Sequence, residues 1–152
     1  MKKLLLSCAL AVVSFAVAPL SLMAEAQCRL QNATLHGTYV VYGTGTIVGV
    51  GGGPLAAAGE VTFDGKGNSV ATYTVSVNGT IHKGVTVTGT YTVNLDCTAT
   101  HAESDGSHYD YVVAPDGNTV MWVETDAGTA VSGTEVRLKP RDDEDAALAG
   151  SQ

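Results

Sequence analysis

Between residues 35 and 138 the sequence has no long run with the 3.6-residue spacing of an amphipathic helix, which argues against a helical core. Basic residues are scarce: 8 Lys and Arg stand against 15 Asp and Glu, for a net charge of −7. Such a chain repels phosphate backbones and anionic lipid surfaces, and no basic stripe is interleaved with aromatics. Neither a nucleic-acid partner nor membrane-surface binding is expected. Cysteines number 3, with no CxxC spacing and no histidine cluster beside them, so a redox pair or metal site lacks its ligands. GxSxG, HExxH and paired catalytic motifs are absent as well. The glycine-rich passage holding Gly43, Gly45, Gly49, Gly51, Gly52 and Gly53 fits neither GxGxxG nor GxxxxGK[ST], and no lysine follows it. No cofactor is expected from these patterns.

The first 26 residues carry Lys2 and Lys3, an apolar run from position 4 to 18, and Ala24-Glu25-Ala26. They read as a secretory signal peptide cleaved before Gln27. The run is broken by Pro19 and is shorter than the roughly 20 residues a membrane-spanning helix needs. Removing the segment takes away two lysines and one glutamate, so the net charge becomes −8. Residues 27–140 then suit one domain with one core, and the acidic stretch at 142–145 marks residues 141–152 as a disordered tail. An exported protein, periplasmic or extracellular, is the expectation. Cys8 leaves with the signal, and Cys28 and Cys97 remain in a compartment where disulfides persist. Pairing them closes 69 positions of chain, which loop-entropy models value at about 4 kcal/mol.

Residues 59–97 show what the chain is built from. Ala71, Tyr73, Val75 and Val77 share one parity with Ile81, Val85, Val87, Tyr91, Val93 and Leu95, while threonines take the other, and His82 alternates onto that threonine face. Asp64-Gly65 and Asn78-Gly79 tolerate the positive φ angles of tight hairpins. The stretch is an antiparallel meander. Further strands follow near residues 35–42, 108–113, 120–125 and 129–138, with turns at 115–118 and 126–128. The glycine passage allows bends in a curved sheet, with a mobile entrance loop as the alternative. Gly37-Thr38-Tyr39 recurs as Gly89-Thr90-Tyr91 and suggests two equivalent sheet corners.

Those repeats, with Phe63-Asp64-Gly65-Lys66-Gly67, Asp96-Cys97-Thr98, Pro115-Asp116-Gly117 and Thr125-Asp126-Ala127-Gly128, resemble a family of small exported bacterial β proteins. The resemblance implies a compact barrel similar to the calycins or the allene-oxide-cyclase barrel, and transfers no catalytic residue.

The fold expected is all-β: a single antiparallel barrel or strongly coiled sheet of about eight strands, able to fill its interior or hold one small ligand. Tyr39, Tyr42, Tyr73, Tyr91, Tyr109, Tyr111 and Trp122 supply most of the aromatic surface. A binding module would line a largely apolar cavity with some of them, and Tyr39, Tyr73, Tyr91, Tyr111, Trp122 and Glu124 are the candidate ligand-binding residues. An isomerase or cyclase would need an interior acid or base from Glu60, Glu124, His82 or Arg137. His101, Glu103, His108 and Asp110 are the densest ionisable cluster, read either as an acid/base or weak metal site or as an exposed hairpin tip. A secreted structural or interaction protein without a ligand cavity is the remaining alternative.

Overall fold

The computed structural model describes residues 27–139; the segments expected to be a signal peptide, 1–26, and a tail, 141–152, lie outside the described residues. After a 3-10 turn at Gln31–Thr34 come eight strands: β1 (His36–Ile47), β2 (Gly53–Asp64), β3 (Asn68–Val77), β4 (Thr80–Val93), β5 (Thr98–Glu103), β6 (His108–Val113), β7 (Thr119–Glu124) and β8 (Thr129–Arg137). Each pairs antiparallel with the next, and β8 returns to β1, closing an eight-stranded up-and-down barrel. Closure leaves no edge strand open to further pairing.

Local chemistry sets the hairpins. Asp64 accepts backbone N–H bonds from Lys66 (2.7 Å) and Asn68 (2.9 Å) and a side-chain bond from Asn68 (2.7 Å), which hold its carboxyl down at about 2. Asn78 and Gly79 have φ of 47° and 84°, the left-handed pair that a two-residue hairpin of the right twist requires.

Period-two alternation places Tyr39, Val61, Phe63, Ala71, Val87, Tyr91, Val93, Tyr111, Val113 and Val120 inside. The alternation breaks once. Between Tyr73–Val85 and Val75–His82 the β3–β4 register shifts, with Lys83 and Gly84 on β4 opposing Thr74 alone, and Gly84 adopts φ +63°. The extra residue turns the first part of β4 over. His82 therefore shares a face with Val75 rather than with the threonines, and Ile81 pairs with outward Ser76 and is 61% exposed. The continuous parity expected across Ile81 and His82 is corrected by this bulge.

One end of the barrel is sealed. The 3-10 turn packs across it, with Tyr91 donating from its hydroxyl to the carbonyls of Leu35 (2.9 Å) and Asn32 (3.1 Å), and Asn32 Oδ1 accepting from Val93 N–H (2.8 Å). Phe63 meets Tyr39 and Tyr91 edge-on at 5.3 and 5.0 Å. The repeated Gly-Thr-Tyr segments thus deliver two tyrosines to either side of one phenylalanine. The disulfide between Cys28 and Cys97, with Cα atoms 5.0 Å apart, ties the segment before the turn to the β4–β5 loop at this same end. Arg137 completes the seal: its guanidinium donates to the carbonyls of His36, Thr34 and Gly117 and to the Tyr39 hydroxyl, and lies 4.9 Å from the Tyr39 ring centroid.

Candidate functional site: an acidic cavity in the open end

Among the described residues nothing plugs the opposite end. Its loops, β1–β2 (48–52), β3–β4 (78–79), β5–β6 (104–107) and β7–β8 (125–128), surround the mouth of a cavity of about 230 Å³. Ile47, Leu55, Val75 and Ala57 form apolar wall, Tyr73, Tyr109, Tyr111 and Trp122 form aromatic wall, and Glu103, Asp105, Glu124 and Glu135 bring carboxyl groups. The volume falls a little below the roughly 300 Å³ at which pockets for drug-sized ligands begin, so the space suits a guest of one or two rings.

Trp122 lies along the wall because two glycines make room for it. A Cβ at Gly43 would come within 2.5 Å of Trp122 Cη2, and one at Gly133 would also run into the indole. Part of the glycine-rich passage therefore serves as a bed for this ring, while Gly49 and Gly51, with φ of +128° and +80°, turn the loop at the mouth. Tyr109 meets Trp122 edge-on at 5.3 Å. The indole Nε1 is buried and has no hydrogen-bond partner.

Beneath it runs a buried polar chain. Tyr111 donates to Glu135 Oε1 (3.0 Å), so its oxygen is left to accept from His101 Nδ1–H (2.7 Å), and His101 Nε2 then accepts from the Ser69 hydroxyl (2.7 Å). This assigns His101 as the neutral Nδ1–H tautomer. Burial agrees, pushing its pKa down to about 4. Gly89 is required here for space, since a Cβ would sit 2.6 Å from Ser69 Oγ and collide with His101. Glu135 is 3% exposed, and burial pushes its carboxyl up to about 8; the Tyr111 hydrogen bond pulls the other way. Its Oε2 has no partner.

At the mouth, Glu103 accepts a long bond from Tyr109 (3.3 Å), and burial followed by repulsion from Asp105 raises it to about 7. Burial, then Asp126 and Asp105, raises Glu124. Tyr73 and Tyr109 are also raised, first by burial and then by Glu103.

Of the residues expected to touch a ligand, Tyr73, Tyr111, Trp122 and Glu124 line the cavity. Tyr39 and Tyr91 do not; they are packed in the sealed end. Glu60 pairs with outward Val40 and Thr72 and is exposed, so it is no interior acid. His82 is exposed and outside the lining, and Arg137 serves the seal. The proposed hairpin cluster is split by strand alternation: His101 and Glu103 point in, whereas His108 and Asp110 are exposed and His108 bonds Asp126 at 2.9 Å. The lining is largely apolar, as expected, with four carboxyl groups set into it. Glu135 was missed. Its parity with Val131 and Gly133 on β8 carries the signal, but a lone glutamate in a Thr/Ser-rich strand looks like an exposed one.

No protein-family model matches the chain, and no curated protein sequence does. Two solved structures are similar in shape: a de novo designed fluorescence-activating β-barrel, at 16% identity and TM-score 0.45, covering 76% of this chain and 99% of that one; and a redesigned β-barrel bound to DFHBI, at 19% identity and TM-score 0.43, covering 70% and 97%. At such identity and overlap the likeness is one of barrel shape alone.

Proposed function

We propose that the protein is an exported β-barrel that binds a small, mainly apolar molecule in the open-ended cavity. The observation that carries this reading is a one-sided cavity of about 230 Å³ lined by apolar side chains and by Tyr73, Tyr109, Tyr111 and Trp122. Burial of about 200 Å² of apolar guest surface would contribute roughly 5 kcal/mol before association costs, enough for a binding role without chemistry. Export is supported by the signal-like first 26 residues and by the Cys28–Cys97 disulfide.

The test is a screen of small apolar compounds against the secreted protein, read by emission of Trp122, the only tryptophan in the sequence, and by thermal stabilisation. Ala57→Phe places a ring in the cavity and is expected to abolish any hit. Hits that keep their affinity in that variant, or a screen without hits, would defeat the reading. Intact mass of the secreted protein should begin at Gln27. An isomerase- or cyclase-type activity retains one support, a carboxyl pair, Glu103 and Glu124, with Glu103 near neutrality as a general base requires. Turnover of a bound hit that disappears in Glu124→Gln would favour it over binding alone.

A further inference from the structure

Four carboxyl side chains line the cavity, and no lysine, arginine or histidine is among its lining residues. Glu103, Asp105 and Glu124 stand where β5, the β5–β6 loop and the end of β7 form the mouth. Like charges gathered in a low-dielectric cleft repel one another and focus an attraction for the opposite sign. That repulsion is visible in Glu103 and Glu124, each pushed up in part by Asp105.

Among the described residues no three acidic, histidine or cysteine groups converge to hold a metal ion. A field spread over several carboxyl groups and bounded by aromatic rings suits a larger, softer cation. Tyr73, Tyr109 and Trp122 stand among them, and aromatic faces attract organic cations through their quadrupoles. Glu135 adds a fourth carboxyl to the same lining, bonded through Oε1 to the Tyr111 hydroxyl.

Resting on the binding role above, we infer that the guest is a small organic cation, an ammonium or amidinium held among Glu103, Asp105 and Glu124, on an apolar body that reaches Trp122. The cation offsets the repulsion at the mouth, and the body fills the wall formed by Leu55, Ala57 and Val75. Anions of the same shape are rejected by the same field.

Three probes share a phenyl body and differ in charge: phenethylammonium, 2-phenylethanol and 3-phenylpropanoate. Each is titrated into the secreted protein at pH 7.5, with Trp122 emission and calorimetry as readouts, at low and at moderate salt. Phenethylammonium should bind roughly 10- to 100-fold more tightly than the alcohol, the range of a hydrogen bond to a charged partner. The carboxylate should bind weakest. The amine's advantage should shrink with added salt, because the mouth is open to solvent. In Glu103→Gln/Glu124→Gln, checked for folding by circular dichroism, the amine should fall towards the alcohol. If that double variant does not fold, Glu124→Gln alone and the salt series decide. An alcohol that binds as tightly as the amine, or an amine preference untouched by salt and by the variants, overturns the cation inference and leaves the binding role standing. If none of the three probes nor any screened compound moves Trp122 emission or the melting temperature, the binding role fails and the inference with it.

Discussion

Replacing Glu135 by glutamine should change how stability depends on pH. Glu135 is fully enclosed, and its carboxyl is held up at about 8 in the folded state against an ordinary value of 4.5. The folded protein therefore binds a proton that the unfolded chain has released, and stability contributed by this group is complete below about 4.5 and lost as pH rises through 8. At about 1.4 kcal/mol per unit, the full excursion is on the order of 5 kcal/mol, of which roughly 1 is lost between pH 7 and 9.

That upper window isolates Glu135. His101, held down at about 4, works in the opposite sense: the folded state resists its protonation, so stability rises with pH from 4 to the unfolded value near 6.5 and is flat above. Glu103, at about 7, has lost most of its share before pH 8. The other titratable groups facing Glu135 are Tyr111 and Tyr109 on β6, Tyr73 on β3 and Glu124 on β7; the three tyrosines are all raised and stay neutral there. Glutamine keeps the volume and an oxygen to accept from Tyr111. Urea unfolding at half-unit steps from pH 5 to 9 should show the native protein losing stability above pH 7, and Glu135→Gln losing distinctly less, with the variant the more stable of the two at pH 9. A native protein whose stability is level or rising from pH 7 to 9, or a variant with the native slope, would refute the burial of an uncompensated carboxyl at this site.

Two further perturbations read other parts of the structure. Reduction of Cys28–Cys97 should cost about 4 kcal/mol, because the bond closes a 69-residue loop; equal urea midpoints with and without reductant would contradict this. Gly43→Ala sets a methyl against Trp122 Cη2 and Cζ2 at 2.5 and 2.8 Å, so the indole must move into the cavity. A loss of about 1–3 kcal/mol and a shifted emission maximum are expected; unchanged emission would mean that the ring does not rest on β1.

The barrel was legible because its signals are local. Asp64-Gly65 and Asn78-Gly79 fix two hairpins by backbone preference alone, and alternation through Ala71, Tyr73, Val85, Val87 and Tyr91 names an inner face. Cys28 and Cys97 were paired because the only other cysteine, Cys8, falls in the segment expected to be removed. The site was less legible for three separate reasons. A single bulge residue at Gly84 reverses the facing of Ile81 and His82, and lysine-glycine within a polar stretch does not declare a bulge. Which aromatics see the cavity depends on height along the barrel axis, which alternation cannot give: Tyr91 and Tyr73 both point inward, yet one sits at the seal and the other at the mouth.

The third reason concerns the acids. Alternation sorts Glu60 and Glu124 only once strand direction and parity are both known, and in β7 Met121 and Val123 are as apolar as Val120 and Trp122. The decision is made by neighbours distant in sequence. Gly43 on β1 and Gly133 on β8 leave a space that only an inward Trp122 fills, which fixes the parity of β7 and carries Glu124 to the mouth. Across the seam, β8 brings Glu135 inside by the same parity as Gly133, where Tyr111 awaits it. Two glycines that look like loosened strand thus determine where two of the four carboxyl groups point, and through them the charge of the cavity wall.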